Sequence, residues 1–131
     1  MNTASNSPQA EVFRLTNIER SKAGLPSFKR LPVLDEIAQV RAEELLLVFD
    51  HRRPTEVMWD QILAEYGVRW LACAENIAMG QESPQDVLKS WMGSQGHRAN
   101  ILSPAYTHLG VGVARVNGQF YWSQNFLTPR Y

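Results

Sequence analysis

A single cysteine in 131 residues rules out an internal disulfide framework, so this chain must hold itself together by packing. A surplus of either charge is also missing: thirteen Lys and Arg balance thirteen Asp and Glu, leaving a formal net charge of zero. Without a basic surplus no strong field draws the domain to DNA, RNA or an anionic membrane, and no nucleic-acid partner is expected. Long hydrophobic runs are absent too. The apolar stretch at residues 45–49 falls far short of the ~20 residues that cross a bilayer, so no transmembrane segment is expected. The amino terminus carries no basic-then-apolar leader pattern. Nor is there a local metal motif: His51, His97 and His108 lie far apart, with no H-x-x-x-H and no paired cysteines. What remains is ordinary globular material, 44% hydrophobic and 20% charged, with no internal repeat, low-complexity tract or linker. One domain is expected over residues 1–131, with its core at about 9–127.

Helical punctuation dominates the first two thirds. Ser7 followed by Pro8 opens a helix that runs to about Lys22, because proline is tolerated where its missing N–H has no partner to lose. Gly24 suits the left-handed residue that closes it. Val12, Phe13, Leu15 and Ile18 give this helix an apolar stripe, and the polar "NIER" of residues 17–20 reads as a hydrogen-bonded brace. A second helix is expected over residues 34–48, with Arg41 on its apolar stripe and therefore in a buried ion pair. A third is expected over residues 55–66, ended by Gly67, and Ser83, Pro84 and Asp86 form a capping box for a fourth.

Then the period changes. Residues 108–116 alternate small and apolar side chains, Asn117-Gly118 follows, and residues 119–126 are rich in aromatics, which predicts a hairpin with a two-residue turn. Counting outward from the turn sets Val116 opposite Gln119, Val113 opposite Trp122, Val111 opposite Gln124 and His108 near Leu127. A further strand is expected around residues 71–79. Helices flanking a small, mostly antiparallel sheet make the economical α+β architecture.

Among the chemistry-bearing residues, Glu75 stands out, because "CAENIA" sets it between apolar neighbours where an unpaired carboxylate would be costly. Arg98, His51 and His108 are the candidate partners. Ser94 lies in "GSQG", which is not the G-x-S-x-G elbow of a hydrolase, and it reads as a helix terminator. His97, Arg98 and Asn100 read as braces of a turn after the fourth helix. The four tryptophans read as core or cleft walls, and Cys73 as a small buried hydrophobe.

Taken in order, "NIERSKAGLPSF", "RAEELL", "HRRP", "ENIAMG", "SWMGSQGHRANIL", "HLGVGVA" and "YWSQNF" resemble the CAP superfamily of cysteine-rich secretory proteins, venom allergens and plant pathogenesis-related proteins. The likeness is greatest to its bacterial SCP-like branch and covers residues 9–126. It implies a three-layer α-β-α sandwich, with a small central antiparallel sheet between helical layers and a broad cleft on one side. In better-studied members that cleft carries two histidines and two glutamates able to hold a divalent metal such as zinc. Carried over by position, the resemblance makes His51, Glu75 and His108 the metal ligands and places Ser94 where the fourth acid would stand, so that acid is absent. Ala74 departs from the glycine that commonly precedes Glu-Asn-Ile, and the lack of disulfides separates the chain from eukaryotic members. No organic cofactor is implied.

The resemblance also implies a secreted or cell-envelope domain. Binding without turnover is the first expectation, with a lipid, peptide or cell-wall fragment captured in a cleft formed by His51, Glu75, Ser94 and His108 above a weak metal site. A metal-dependent, protease-like hydrolase is the alternative, held back because the missing acid at Ser94 removes the obvious general base. A third reading is a protein-interaction module of a larger envelope protein.

Overall fold

The computed structural model describes residues 7–131. Helix α1, Pro8–Lys22, begins where Ser7 accepts a hydrogen bond from the Ala10 N–H at 3.0 Å. The side chain thereby satisfies one of the donors that a helix leaves free at its first turn. After α1 come α2 (Pro32–Leu45), α3 (Gln61–Glu65), β1 (Trp70–Met79), α4 (Pro84–Met92), α5 (Gln95–Ile101), β2 (His108–Val116) and β3 (Gln119–Pro129). As expected, Ser83 caps α4 by accepting from the Asp86 N–H at 3.1 Å.

The hairpin register is the one counted from the turn: Val116 faces Gln119, Val113 faces Trp122, Val111 faces Gln124 and His108 faces Leu127. Asn117 and Gly118 both take positive φ, 50° and 78°, the backbone a two-residue turn needs to follow the strand twist. β1 adds to the far side of β3, giving an antiparallel sheet in the order β1-β3-β2.

Side chains of β3 alternate between two helical layers. Trp122 and Phe126 join Val12, Val87, Trp91, Ile101, Leu109 and Val111 in a core beneath α1, α4 and α5. On the opposite face Leu127 joins Leu34 and Ile37 of α2 and Trp59, Ile62 and Leu63 around α3. The sheet is thus covered on both faces, which is the α-β-α sandwich, and both faces of its central strand are buried. Glycine lets α2 come this close: a Cβ on Gly112 would lie 2.1 Å from the Ala38 carbonyl oxygen, and one on Gly110 2.4 Å from that of Leu34.

Two expected elements differ. The helix expected over residues 55–66 is reduced to α3, Gln61–Glu65. Its amino-terminal half is a tight excursion in which Trp59 N–H bonds His51 O, Arg53 N–H bonds Val57 O and Glu56 takes a φ of 73°. Arg53 anchors it from the side, reaching Glu44 at 2.7 Å and Glu65 at 2.6 Å. Tertiary ion pairing there outweighs the local helical pattern. Conversely, the turn expected after α4 is a short helix, α5: Gly93 ends one helix and the extended backbone of Ser94 starts the next.

Candidate functional site

The site is built outward from Glu75. Its side chain is fully buried at the middle of β1, facing α2, and the equally buried Arg41 of α2 meets it with a two-pronged contact, Nε to Oε2 at 2.7 Å and Nη2 to Oε1 at 3.0 Å. Asn125 Nδ2 donates to Oε2 at 3.0 Å and His51 Nδ1 lies 2.9 Å from Oε1. Against an acceptor carboxylate Nδ1 carries the proton, and Nε2 has no partner among the described residues. Of the partners considered from sequence, His51 is one, Arg98 and His108 are not, and the main cation is Arg41.

Arg41 also fixes the loop that delivers His51. Its Nη2 donates to Asp50 O at 2.8 Å and its Nη1 to Glu44 at 2.8 Å. Burial works against the Arg41 charge, but the Glu75 and Glu44 carboxylates more than offset it and hold its pKa above the ordinary value.

Asn76, the next residue, points to the other face and fastens α5. Its Nδ2 donates to His97 O at 3.1 Å and to Gln124 Oε1 at 3.1 Å, while Asn100 Nδ2 donates to Asn76 Oδ1 at 2.9 Å. Gln124 in turn reaches Thr16 of α1 at 3.0 Å. This chain of amides pins His97 beside the edge of β1. His97 Nδ1 lies 2.9 Å from Ser94 Oγ. Burial and then the neighbouring His51 imidazole hold its pKa below the usual histidine value. Asn100 is thus the brace expected from sequence, whereas His97 is both a brace, through its carbonyl, and a side chain beside His51. The resemblance of "GHRANIL" to the bacterial branch allows Ser94 and His97 to reach the edge of the cleft; the further signal was the amide-bearing Asn76 next to Glu75.

The two edges of the sheet are unlike. On β2, Leu109 N–H bonds Lys29 O, and the Gln39 side chain takes up both the N–H and the C=O of Val113, at 3.1 and 2.8 Å. On β1, Gly80 N–H bonds Phe120 O, which fixes the antiparallel alternation. Even-numbered residues face β3, and Cys73, Glu75 and Ile77 turn N–H and C=O outward. The Trp91 indole takes the Ile77 carbonyl at 3.2 Å. The outward groups of Cys73 and Glu75 have no partner among the described residues; on the two faces of the strand next to them, the Glu75 side chain meets His51 and the Asn76 side chain meets the His97 carbonyl.

His108 is placed elsewhere. It shares the α2 face of the sheet with Glu75, but it pairs with Leu127, which pairs with Cys73 rather than Glu75. It is therefore two strand spacings away, roughly 9–10 Å, as well as two residues along. Its Nδ1 lies 2.7 Å from Thr107 Oγ1, and burial, then Lys29, lowers its pKa. Among the described residues no three His, Cys, Asp or Glu side chains come together as a metal-holding group. With both Glu75 oxygens taken up by Arg41, Asn125 and His51, a metal held jointly by His51, Glu75 and His108 does not fit this arrangement.

The depressed histidines set a pH dependence of folding. The native pKa values of His97 and His108 lie below the unfolded value of ~6.5, so the unfolded chain binds more protons in that range. The associated stability is complete above about pH 6.5 and declines as pH falls toward the native values. Urea unfolding is expected to show a lower midpoint at about pH 5 than at about 7.5. The double variant His97→Gln with His108→Gln flattens that slope; an unchanged slope would contradict the assignment.

Known proteins share this architecture. The family model of the cysteine-rich secretory protein family, CAP, matches residues 13–126. An uncharacterized Bacillus subtilis protein, YkwD, is 36% identical over 96% of this chain and 51% of its own length. An extracellular protein containing an SCP domain from Bacillus anthracis superposes with a TM-score of 0.84 at 30% identity, over 93% of this chain and 40% of that one. A cysteine-rich secretory protein from Staphylococcus aureus superposes with a TM-score of 0.73 at 25% identity, over 92% of this chain and 38% of that one. The chain therefore spans about half the length of the curated relative YkwD and less of these structural relatives. Matched from residue 13 in α1 to residue 126 in β3, through a sandwich built without a disulfide, this chain belongs to the CAP family of cysteine-rich secretory proteins.

Proposed function

We propose that this domain works outside the cell as a binding module, and that its ligand is an extended, peptide-like chain laid along the free edge of β1 between His51 and His97. The carrying observation is the contrast between edges. β2 is closed by Lys29 and Gln39, while the outward backbone groups of Cys73 and Glu75 on β1 have no partner among the described residues. An added strand satisfies such groups through its own backbone, and flanking side chains supply selectivity. His51 and His97 each leave Nε2 without a partner among the described residues, one on either side of that edge. The extracellular placement rests on relatives described as extracellular and secretory.

Screening an array of random decapeptides provides the test. Binding should depend on His51 and His97 and should be lost when the bound peptides are N-methylated on alternate amides, since methylation removes the ladder donors. Equal binding of methylated peptides, or binding untouched by His97→Ala, would remove the proposal.

The Ser94–His97 contact gives a second reading, hydrolysis with Ser94 as nucleophile and His97 as base. A fluorophosphonate probe that labels Ser94, and fails to label the His97→Ala variant, would favour it. For zinc, the fitting donors are the two imidazoles of His51 and His97. Two protein ligands give weaker binding than the three of a catalytic zinc site, so metal-dependent hydrolysis ranks below binding.

A further inference from the structure

We propose that a second site, distinct from the β1 groove, binds a phosphate-type oxyanion in the depression floored by Arg20. Arg20 is only 2% exposed and no carboxylate pairs with it among the described residues. The other fully buried guanidinium, Arg41, has two carboxylates. Arg20 instead spends Nε on Pro26 O at 2.9 Å and Nη1 on Ile101 O at 2.9 Å and Ser103 O at 2.8 Å, with its Cζ 3.8 Å from the Phe28 ring centroid. Nη2 has no acceptor among the described residues. A buried cation that meets only neutral carbonyls keeps most of its charge uncompensated.

Arg20 forms part of the wall of a cavity of about 270 Å³, which Ser27, Lys29, Tyr106 and Thr107 also line. Two basic and three hydroxyl-bearing residues line this space and no acidic residue does, although the Thr107 hydroxyl is already engaged by His108 and Leu127. Ser27 and Tyr106 hydroxyls make no hydrogen bond among the described residues. Pro26 and Pro104 stiffen the rim. The carbonyls at the end of α5, which would repel an anion, are already engaged by Nη1. A guanidinium edge, an ammonium and neutral hydroxyl donors around one small space are the recognition chemistry of a phosphate group.

The test uses the intact protein and inorganic phosphate, followed by two-dimensional NMR at constant ionic strength. Saturable shifts are expected at the Ser27, Lys29 and Thr107 amides and at Arg20 Nε–H, with none from chloride. Lys29→Glu, at an exposed position that leaves the buried guanidinium in place, should weaken phosphate binding at least about tenfold, because it replaces attraction by repulsion at short range. His97→Ala should leave it unchanged, which separates this site from the β1 groove. Glycerol 3-phosphate and vesicles with and without phosphatidylglycerol distinguish the sources. Competition by the soluble ester alone assigns a free phosphate ligand, and sedimentation with the anionic vesicles assigns a headgroup. Shifts that rise without saturating, equal shifts with chloride, or a Lys29→Glu variant with unaltered affinity would overturn the proposal.

Discussion

Arg41→Met is expected to destabilise the domain by about 3–5 kcal/mol, the cost of leaving a buried carboxylate without its counter-ion. In a domain whose total stability is of the order of 5–15 kcal/mol, that is enough to leave much of the protein unfolded on warming. The cost falls on Glu75, whose oxygens would keep only Asn125 and His51. It falls on the His51 loop as well, which loses the tie from Arg41 to Asp50 O. Arg41→Lys should recover little, since a point charge does not reproduce the fork that meets both Glu75 oxygens and Asp50 together. The double variant Arg41→Met with Glu75→Leu should regain most of the loss, because it removes both charges and fills the space with apolar atoms. Its ligand groove would nonetheless be disordered around His51. Chemical denaturation of the three variants checks this, and a double variant as unstable as Arg41→Met alone would show that the pair acts through packing rather than charge.

Gly112→Ala is expected to cost more than about 3 kcal/mol, beyond the usual range for an added methyl in a packed core. Ordinary overpacking is relieved by rotating a side chain, but here the obstacle is the backbone of α2: the Ala38 carbonyl oxygen at 2.1 Å and carbon at 2.4 Å. Relief requires lifting the helix from the sheet, which also separates Arg41 from Glu75. Gly110→Ala meets the Leu34 carbonyl at 2.4 Å and should behave alike. Gly96→Ala, where nothing lies within 4 Å, is the control and should change the melting temperature little. Gly112→Ala protein with an unchanged melting temperature would mean that α2 does not lie on the sheet as described.

Much of the fold was legible because its signals are local. Ser7 and Ser83 cap helices within three residues of themselves, and Asn117-Gly118 fixes a turn whose register then follows by counting. The two elements read differently are those where distant partners decide. Residues 55–60 carry a helical pattern, but Arg53 holds the excursion through Glu44 and Glu65. Residues 95–101 carry two residues suited to turns, Gly96 and Asn100, yet they close a helix because Asn76 holds its backbone and the Asn100 side chain.

At the candidate site the division is sharper. Residue pattern alone puts Arg41 on a buried stripe and Glu75 among apolar neighbours, so each needed a partner, since an isolated charge in a low-dielectric interior is too costly to persist. The order and spacing of the motifs determined the family. Tertiary contacts alone settle that these two residues satisfy one another across the α2–sheet interface, that His51 acts electrostatically on His97 and not on His108, and that the outward groups of Cys73 and Glu75 on β1 have no partner among the described residues. The reason is geometric. Strand order β1-β3-β2 inserts a whole strand between Glu75 and His108, and the amides of Asn76 and Asn100 draw α5 to the edge of β1. Neither consequence has any signature in residue spacing, because both depend on which strand lies next to which.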